Sequence, residues 1–266
     1  MARATLWSRY AMEANMNNRI RRCWKEGRAA VNFWLSMPGT VSAETVIRQD
    51  FDGVTVDLQH GLIDYSSALP MLQVLSLGDA TAMARVPWLE PGIIMKLLDA
   101  GALGIICPMV NNAVQAQRLV GYCRYAPQGE RSFGPTRALP LHGTHYRKVI
   151  NDELIILAMV ETQEALDNVT DICSTDGLSG VYIGPSDLAL SLGKEPKLDH
   201  EEPAVVDAIE TILGAAKAAG IRAGIHCGST AYAKKMITLG FDLVTIGSDI
   251  RTLSAGVVAA LGDMRD

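Results

Sequence analysis

Two carboxylates, a histidine and an arginine stand where short apolar runs of this 266-residue chain come to an end. Glu161 follows Val160 at the close of one run, and Asp187 follows the next in Gly184-Pro185-Ser186-Asp187. Two hard carboxylate oxygens with positions left open for water or substrate are what Mg²⁺ or Mn²⁺ prefers. The bland alternative makes Asp187 the cap of a short helix opening at Ser186 and Glu161 an ion-pair partner. His60 ends Asp57-Leu58-Gln59-His60 after another run. An imidazole titrates near neutrality and suits proton transfer, and Asp57 is expected to orient this ring and to stabilise its charged form. Arg85 interrupts Ala82-Met83-Ala84-Arg85-Val86. A buried guanidinium needs acceptors. They are either an internal carboxylate such as Asp99 or Asp57, or a substrate oxygen on which negative charge develops.

What is missing narrows the chemistry. The eight lysines fall outside every expected strand and strand tip, so an imine-forming aldolase, which needs a desolvated lysine, is disfavoured against metal chemistry. Neither GxxxxGK[ST] nor GxGxxG occurs, and no GxSxG elbow marks a serine hydrolase.

These residues need a scaffold that gathers strand ends at one mouth. Apolar, β-rich runs at 31–35, 53–57, 81–86, 104–108, 155–161, 180–183, 222–225 and 243–246 lack polar alternation, as strands covered on both faces do. Helical patterns at 42–48, 66–77, 91–100, 111–121, 162–168, 202–219, 230–239 and 249–261 separate and follow them, several closed by glycine. Eight βα units in order predict a closed (β/α)₈ TIM barrel of the α/β class, with a doubly wound open sheet as the alternative. Chemistry in a barrel sits at the C-terminal ends of the strands, which is where the four residues lie. The stretch 124–152 breaks the rhythm and is expected to hold a lid or a subunit contact.

Composition agrees with one large core: hydrophobic residues make up 48% and charged residues 20%. A formal charge of −5 gives no reason to expect nucleic acid or an anionic membrane as partner, and no apolar run approaches a membrane span. Five scattered cysteines without a CxxC pair read as reduced thiols of a cytoplasmic protein. Residues 1–15 read as a loosely held extension before a single barrel domain at 16–266. They lack a signal peptide's order, although Arg3 and Arg9 allow a weak transit-peptide reading.

The chain also resembles the class II pyruvate-dependent aldolases of the 4-hydroxy-2-oxoheptanedioate aldolase type, a group that includes dehydro-deoxyglucarate aldolases. The likeness covers roughly 17–261. It rests on Phe51-Asp52 with Val56-Asp57-Leu58-Gln59-His60, Leu97-Leu98-Asp99-Ala100-Gly101-Ala102, Cys107-Pro108-Met109-Val110, Arg124-Tyr125-Ala126-Pro127-Gln128-Gly129-Glu130-Arg131, Val160-Glu161-Thr162 and Tyr182-Ile183-Gly184-Pro185-Ser186-Asp187-Leu188. The resemblance implies a pyruvate/phosphoenolpyruvate-type barrel that interconverts a 4-hydroxy-2-oxo acid with pyruvate and an aldehyde, using Mg²⁺, Mn²⁺ or Co²⁺. It implies Glu161 and Asp187 as metal ligands, His60 as base assisted by Asp57, and Arg85 on the keto oxygen. Gly184, Pro185 and Ser186, with Trp34 and His226, are expected to line the substrate. It further implies a homohexamer built as a trimer of dimers that exchange the last helix, with Asp99 completing a site across a subunit boundary. Gln59, Met159 and His226 depart from the common pattern, and His226 stands where several relatives turn an apolar side chain towards the aldehyde. Two rival readings are a lyase acting on acyl-CoA thioesters, for which Arg131, Arg137 and Arg147 would have to meet the CoA phosphates, and a barrel that binds a metabolite without turnover.

Overall fold

The computed structural model describes residue 16 and residues 18–265. The extension expected at 1–15, and with it the transit-peptide reading, lies outside the described residues. Eight strands close into one parallel barrel in sequence order. They are β1 (Ala30–Leu35), β2 (Gly53–Asp57), β3 (Thr81–Arg85), β4 (Gly104–Cys107), β5 (Ile155–Met159), β6 (Gly180–Ile183), β7 (Arg222–Cys227) and β8 (Leu243–Ser248). The open-sheet alternative is excluded because β1 pairs with both β2 and β8.

Successive side chains of a strand point to opposite faces, so each barrel strand feeds two cores. One set, including Val54, Val56, Ala84, Ile105, Ile156, Val181 and Ile225, packs outward against the helices. The other set fills the lumen with Ala30, Trp34, Met83, Ile106, Leu157, Met159, Tyr182 and Leu243. Burial on both sides is why the strands read as continuous apolar runs. The helices start on the signals that the sequence carries. Asp64, Asn112, Thr162 and Ser229 each accept a backbone N–H of the first turn, and Pro91 and Pro203 occupy initial helical positions.

A helix at Arg19–Lys25, before β1, closes the bottom of the barrel. Ile20, Cys23 and Trp24 join the lumen core, and Ile20 fills the space that a Cβ on Gly53 would need, its Cδ1 lying 2.5 Å from that position. Asp52 ties this plug to the sheet. It accepts from the Val31 amide at 2.9 Å and from Arg19 Nε at 2.8 Å.

The long segment between β4 and β5 is not a lid. It contains helices at Ala138–His142 and Tyr146–Glu153, and several of its polar side chains turn inward. Arg131, with no exposed side-chain surface, meets Asp99 at 2.6 Å. Arg137 bonds to Ser76 Oγ and to the carbonyl of Ala100, and Asn151 bonds to Tyr125 and Gln128. None of its residues lines the cavity at the barrel mouth.

His142 stacks on Tyr146 with ring centroids 5.6 Å apart, and its Nε2 is buried without a partner. Burial pushes its pKa down to about 4 from 6.5. Between those values the unfolded chain binds the extra proton, so this ring's contribution to stability is full above pH 6.5 and is lost as pH falls towards 4. Each unit of that depression is worth on the order of 1.4 kcal/mol. Urea unfolding of the wild type and of His142→Phe between pH 7 and 4 is expected to give a shallower acid slope for the variant; equal slopes would refute the assignment.

Candidate active site

Counting by twos along each strand leads to the mouth. The inward positions of β1 end in Asn32 and Trp34, those of β2 in Thr55 and Asp57, those of β3 in Met83 and Arg85, and those of β7 in Gly224 and His226. These residues surround the upper end of the lumen, where Trp34, Asp57, Arg85 and His226 line a cavity of about 400 Å³.

Asp57 and Arg85 are register partners on β2 and β3. Their side chains form a two-point ion pair, Arg85 Nε to Asp57 Oδ1 at 2.8 Å and Nη2 to Oδ2 at 2.7 Å. Burial works to raise the Asp57 pKa, but the hydrogen bonds and charge of Arg85 prevail and hold it below the usual carboxylate range. The guanidinium also lies over the Trp34 ring at 4.9 Å. Arg85 thus has an internal carboxylate and also lines the cavity.

This arrangement changes the expected role of Asp57. Its Oδ1 accepts the backbone N–H of Gln59 at 3.0 Å and of His60 at 3.3 Å, and the carboxylate is otherwise engaged with Arg85. It shapes the turn that presents His60 rather than holding the imidazole itself. The His60 side chain is exposed at the cavity edge.

Glu161 is the most unusual group in the cavity. It is 1% exposed, accepts the Met109 amide through Oε1 at 2.8 Å, and has no partner for the buried Oε2. Burial pushes its pKa up to about 7; the Met109 N–H opposes the rise and the nearby Asp187 charge adds to it. Met109 takes a left-handed backbone, φ 56°, which costs energy in a residue with a Cβ. Asp187 sits half-buried in the first turn of the helix Pro185–Ser191, and both carboxylates line the cavity. The bland reading therefore fails for Glu161, which has no ion-pair partner among the described residues, while Asp187 does occupy a helix start. A buried orphan carboxylate oxygen facing a second carboxylate suits a divalent cation, which would satisfy both charges. Among the described residues no third His, Cys, Asp or Glu joins them, which leaves positions for substrate and water.

Gly184 enforces the geometry. A Cβ there would lie 2.2 Å from Glu161 Oε2 and 3.0 Å from Met159 Cε. Pro185 and Ser186 complete that wall, so ten of the eleven expected site residues meet in one cavity. The eleventh, Asp99, ends the helix Pro91–Asp99 that runs back from the mouth, where Arg131 holds it.

Counting by twos also reaches groups that the motifs did not single out. Tyr182 is fully buried beneath the cavity and donates to Thr245 Oγ1 at 2.6 Å. Its bulk fits because Gly224 stands opposite, where a Cβ would come 2.8 Å from the Tyr182 ring. Arg251 reaches the cavity from the helix Asp249–Asp263, which the strand pattern gave no means to foresee. Asp249 fixes the start of that helix by accepting from the Ser36 and Met37 amides and from Ser42 Oγ.

Residues 31–255 match the family model described as HpcH/HpaI aldolase/citrate lyase. The chain belongs to that family. A hydroxypyruvate/pyruvate aldolase of Rhizorhabdus wittichii is 47% identical over 248 residues, covering 93% of this chain and 99% of that one. A 4-hydroxy-2-oxo-heptane-1,7-dioate aldolase of Salmonella arizonae is 34% identical over 92% of this chain and 93% of its own. Among solved structures, an HpcH/HpaI aldolase/citrate lyase family protein of Burkholderia cenocepacia superposes with a TM-score of 0.86 at 26% identity, covering 94% of this chain and all of that one. The protein is accordingly a carbon–carbon lyase acting on small molecules, in a family whose members depend on a divalent metal. Among the described residues, no helix is long and apolar enough to cross a membrane.

The Gly184 contact yields a sharp expectation. Gly184→Ala should lower the enzyme's kcat/KM by about 100-fold, the scale of an ångström's misplacement at a reacting centre, while thermal unfolding shows the barrel still folded. Wild-type activity in a folded Gly184→Ala protein would show that the Glu161 position does not matter.

Proposed function

We propose that the enzyme is a class II aldolase that cleaves a 4-hydroxy-2-oxo acid reversibly to pyruvate, or a close analogue, and an aldehyde. The observation that carries this reading is the unpaired Glu161 Oε2 beside Asp187 in a cavity that also holds Arg85 and His60. Glu161 and Asp187 would hold Mg²⁺, Mn²⁺ or Co²⁺. When bound, such an ion supplies Lewis-acid stabilisation of negative charge on the substrate oxygens.

The chain's own groups do the rest. The amides at the start of the helix Pro185–Ser191, with Gly184, Pro185 and Ser186 forming the wall, take the pyruvate carboxylate. Arg85, kept rigid by Asp57 and Trp34, donates to the keto oxygen and stabilises the enolate charge. His60 removes a proton from the methyl carbon in the synthetic direction and returns it in cleavage. No lysine lines the cavity, which disfavours an imine route. The acyl-CoA alternative loses two of its three supports, because Arg131 and Arg137 are committed to Asp99 and to internal oxygens.

The assembly is read from the last helix. Asp249–Asp263 leaves Ile250, Leu253, Val257 and Leu261 between 46% and 59% exposed. Their spacing places them on one face, which needs a cover. We assign that cover to a second copy, in dimers that exchange this helix and assemble as a hexamer. In such an assembly Asp99, held by Arg131, would complete a neighbour's site. Five free, buried cysteines favour a reducing compartment, the cytoplasm.

Two measurements test these readings. Exchange of the pyruvate methyl protons in D₂O, followed by NMR, isolates the enolate step from the choice of aldehyde. It should require added Mg²⁺ or Mn²⁺, stop with EDTA, and fall by about 100-fold or more in His60→Ala and Glu161→Ala, in keeping with the loss of a general base or of charge stabilisation. Absence of exchange by metal-loaded wild type would reject the enolate mechanism. Light scattering during gel filtration should give a hexamer for wild type and smaller species for Leu253→Asp with Val257→Asp, whereas a wild-type monomer would refute the assembly.

A further inference from the structure

The opposite end of the barrel carries a second concave site. A cavity of about 350 Å³, in the size range of small-molecule sites, opens at the floor. Its walls come from the plug helix Arg19–Lys25 and from the segments leading into β5, β6 and β7. Arg21, Lys25, Arg124 and Arg222 line it, against one acid, the exposed Asp152. It shares no residue with the cavity at the mouth.

The local acids do not balance these cations. Arg222 alone is paired, through Nη1, with Asp242 Oδ1 at 2.7 Å. Arg21 bonds to neutral oxygens, with Nε donating to the Glu153 carbonyl at 2.8 Å and Nη2 to the Leu154 carbonyl at 2.6 Å. Lys25 and Arg124 have no ion-pair partner among the described residues. Arg124 Nε is buried and lacks an acceptor. Its guanidinium rests on bare backbone, since Gly177 has φ 84° and a Cβ there would lie 2.7 Å from Arg124 Nη1. Burial holds the Arg21 pKa below its ordinary value; Glu153 and Asp152 oppose the fall, and the charges of Arg124 and Arg222 add to it. Like charges gathered in a partly dry cleft repel one another, and a bound anion converts that cost into attraction. Residues 1–15 bring no surplus of negative charge, because Arg3 and Arg9 outnumber Glu13.

We propose that this cleft is a binding site for a phosphate group, either free phosphate or the monoester of a small metabolite. Three cations without a carboxylate partner, less the one acid of the wall, leave two positive charges, which a dianion balances. Guanidinium groups suit phosphate because their planar N–H forks match its oxygens. Trp24, Leu178 and Ile221 add an apolar wall for the carbon chain of a monoester. A ligand here bridges the plug helix to the floor of the sheet and stabilises the folded chain by mass action. The inference is independent of the chemistry proposed for the mouth.

Titration calorimetry of the full-length protein with Mg²⁺ tests it. The probes are inorganic phosphate and glycerol 3-phosphate, at constant ionic strength and about pH 8, where a phosphate monoester is a dianion. Wild type should bind at least one of them saturably. Arg124→Gln should weaken that binding by about tenfold or more, the scale of a charged hydrogen bond. Lys25→Gln, at an exposed position where folding is not at stake, should weaken it several-fold, and it decides the matter alone if Arg124→Gln does not fold. Arg251→Gln, at the mouth, should leave the Kd unchanged. The Tm of wild type should rise with the ligand, and that of Arg124→Gln should not. A preference for the ester of about tenfold identifies a metabolite as the source, and equal affinities identify free phosphate. No saturable binding at millimolar concentration would overturn the proposal. So would a Kd unchanged in both floor variants, or a loss that follows Arg251 and spares Arg124 and Lys25.

Discussion

A carboxylate buried with one oxygen unpaired is a costly arrangement, and much of the barrel mouth is organised around it. Glu161 has lost its water, meets one amide N–H, and stands near another negative group. A folded chain tolerates such a group by protonating it or by supplying a cation. The sequence around it shows which supports are built in. Met109 accepts a strained backbone to donate its amide, Gly184 gives up a side chain so that Oε2 has room, and Asp187 brings further negative charge. Neighbours chosen for stability alone would have included an arginine or lysine beside Glu161. A site left electron-rich and partly unsatisfied would be relieved by a bound cation.

The cationic half of the mouth follows the opposite rule. Arg85 has its full complement of support in a two-point pair with Asp57 and a ring face from Trp34. The pairing comes directly from strand register, since the two residues lie opposite each other on adjacent strands with inward-facing side chains. A guanidinium restrained in this way can donate to a developing oxyanion without first being reorganised. The fixed position of one charge and the unsatisfied state of the other follow from the same geometry, in which every second residue of a closed barrel points into a shared lumen.

Strand positions were legible because each strand is covered on both faces, so β2 and β6 were delimited to the residue from apolar runs alone. The polar residues ending those runs were legible as a site because a barrel offers only one place for them to meet. Three features were not. Asp57 was open as a partner for the His60 ring or for Arg85, and register across β2 and β3, invisible in sequence, gave it to Arg85. The segment at 124–152 has the composition of a mobile loop, yet Arg131, Arg137 and Asn151 satisfy carbonyls and a carboxylate, contacts that depend on tertiary position. Arg251 belongs to the last helix, whose path past the mouth is set by Asp249 gripping the loop after β1. Local pattern records which face a residue occupies; it does not record which distant residue it meets there.

Charge at the mouth is distributed unevenly, and the unevenness gives the cavity a direction. Glu161 and Asp187 follow β5 and β6, whereas Arg85 ends β3 and Arg251 enters from beyond β8. An anionic group entering the cavity is attracted towards Arg85 and Arg251 and repelled from Glu161 and Asp187 unless their charge is neutralised. A cation held at Glu161 and Asp187 would therefore make the entry of an anion more favourable, and the reverse. Between the two charged regions the wall is made by Trp34, Tyr182 and His226, whose pKa burial lowers to about 4 with Arg85 and Arg251 adding. A neutral polar wall neither attracts nor repels charge, so it discriminates by hydrogen bonding and shape. Charge is thus gathered at Arg85 and Arg251 on one side and at Glu161 and Asp187 on the other, and the wall between them offers hydrogen bonds and shape alone.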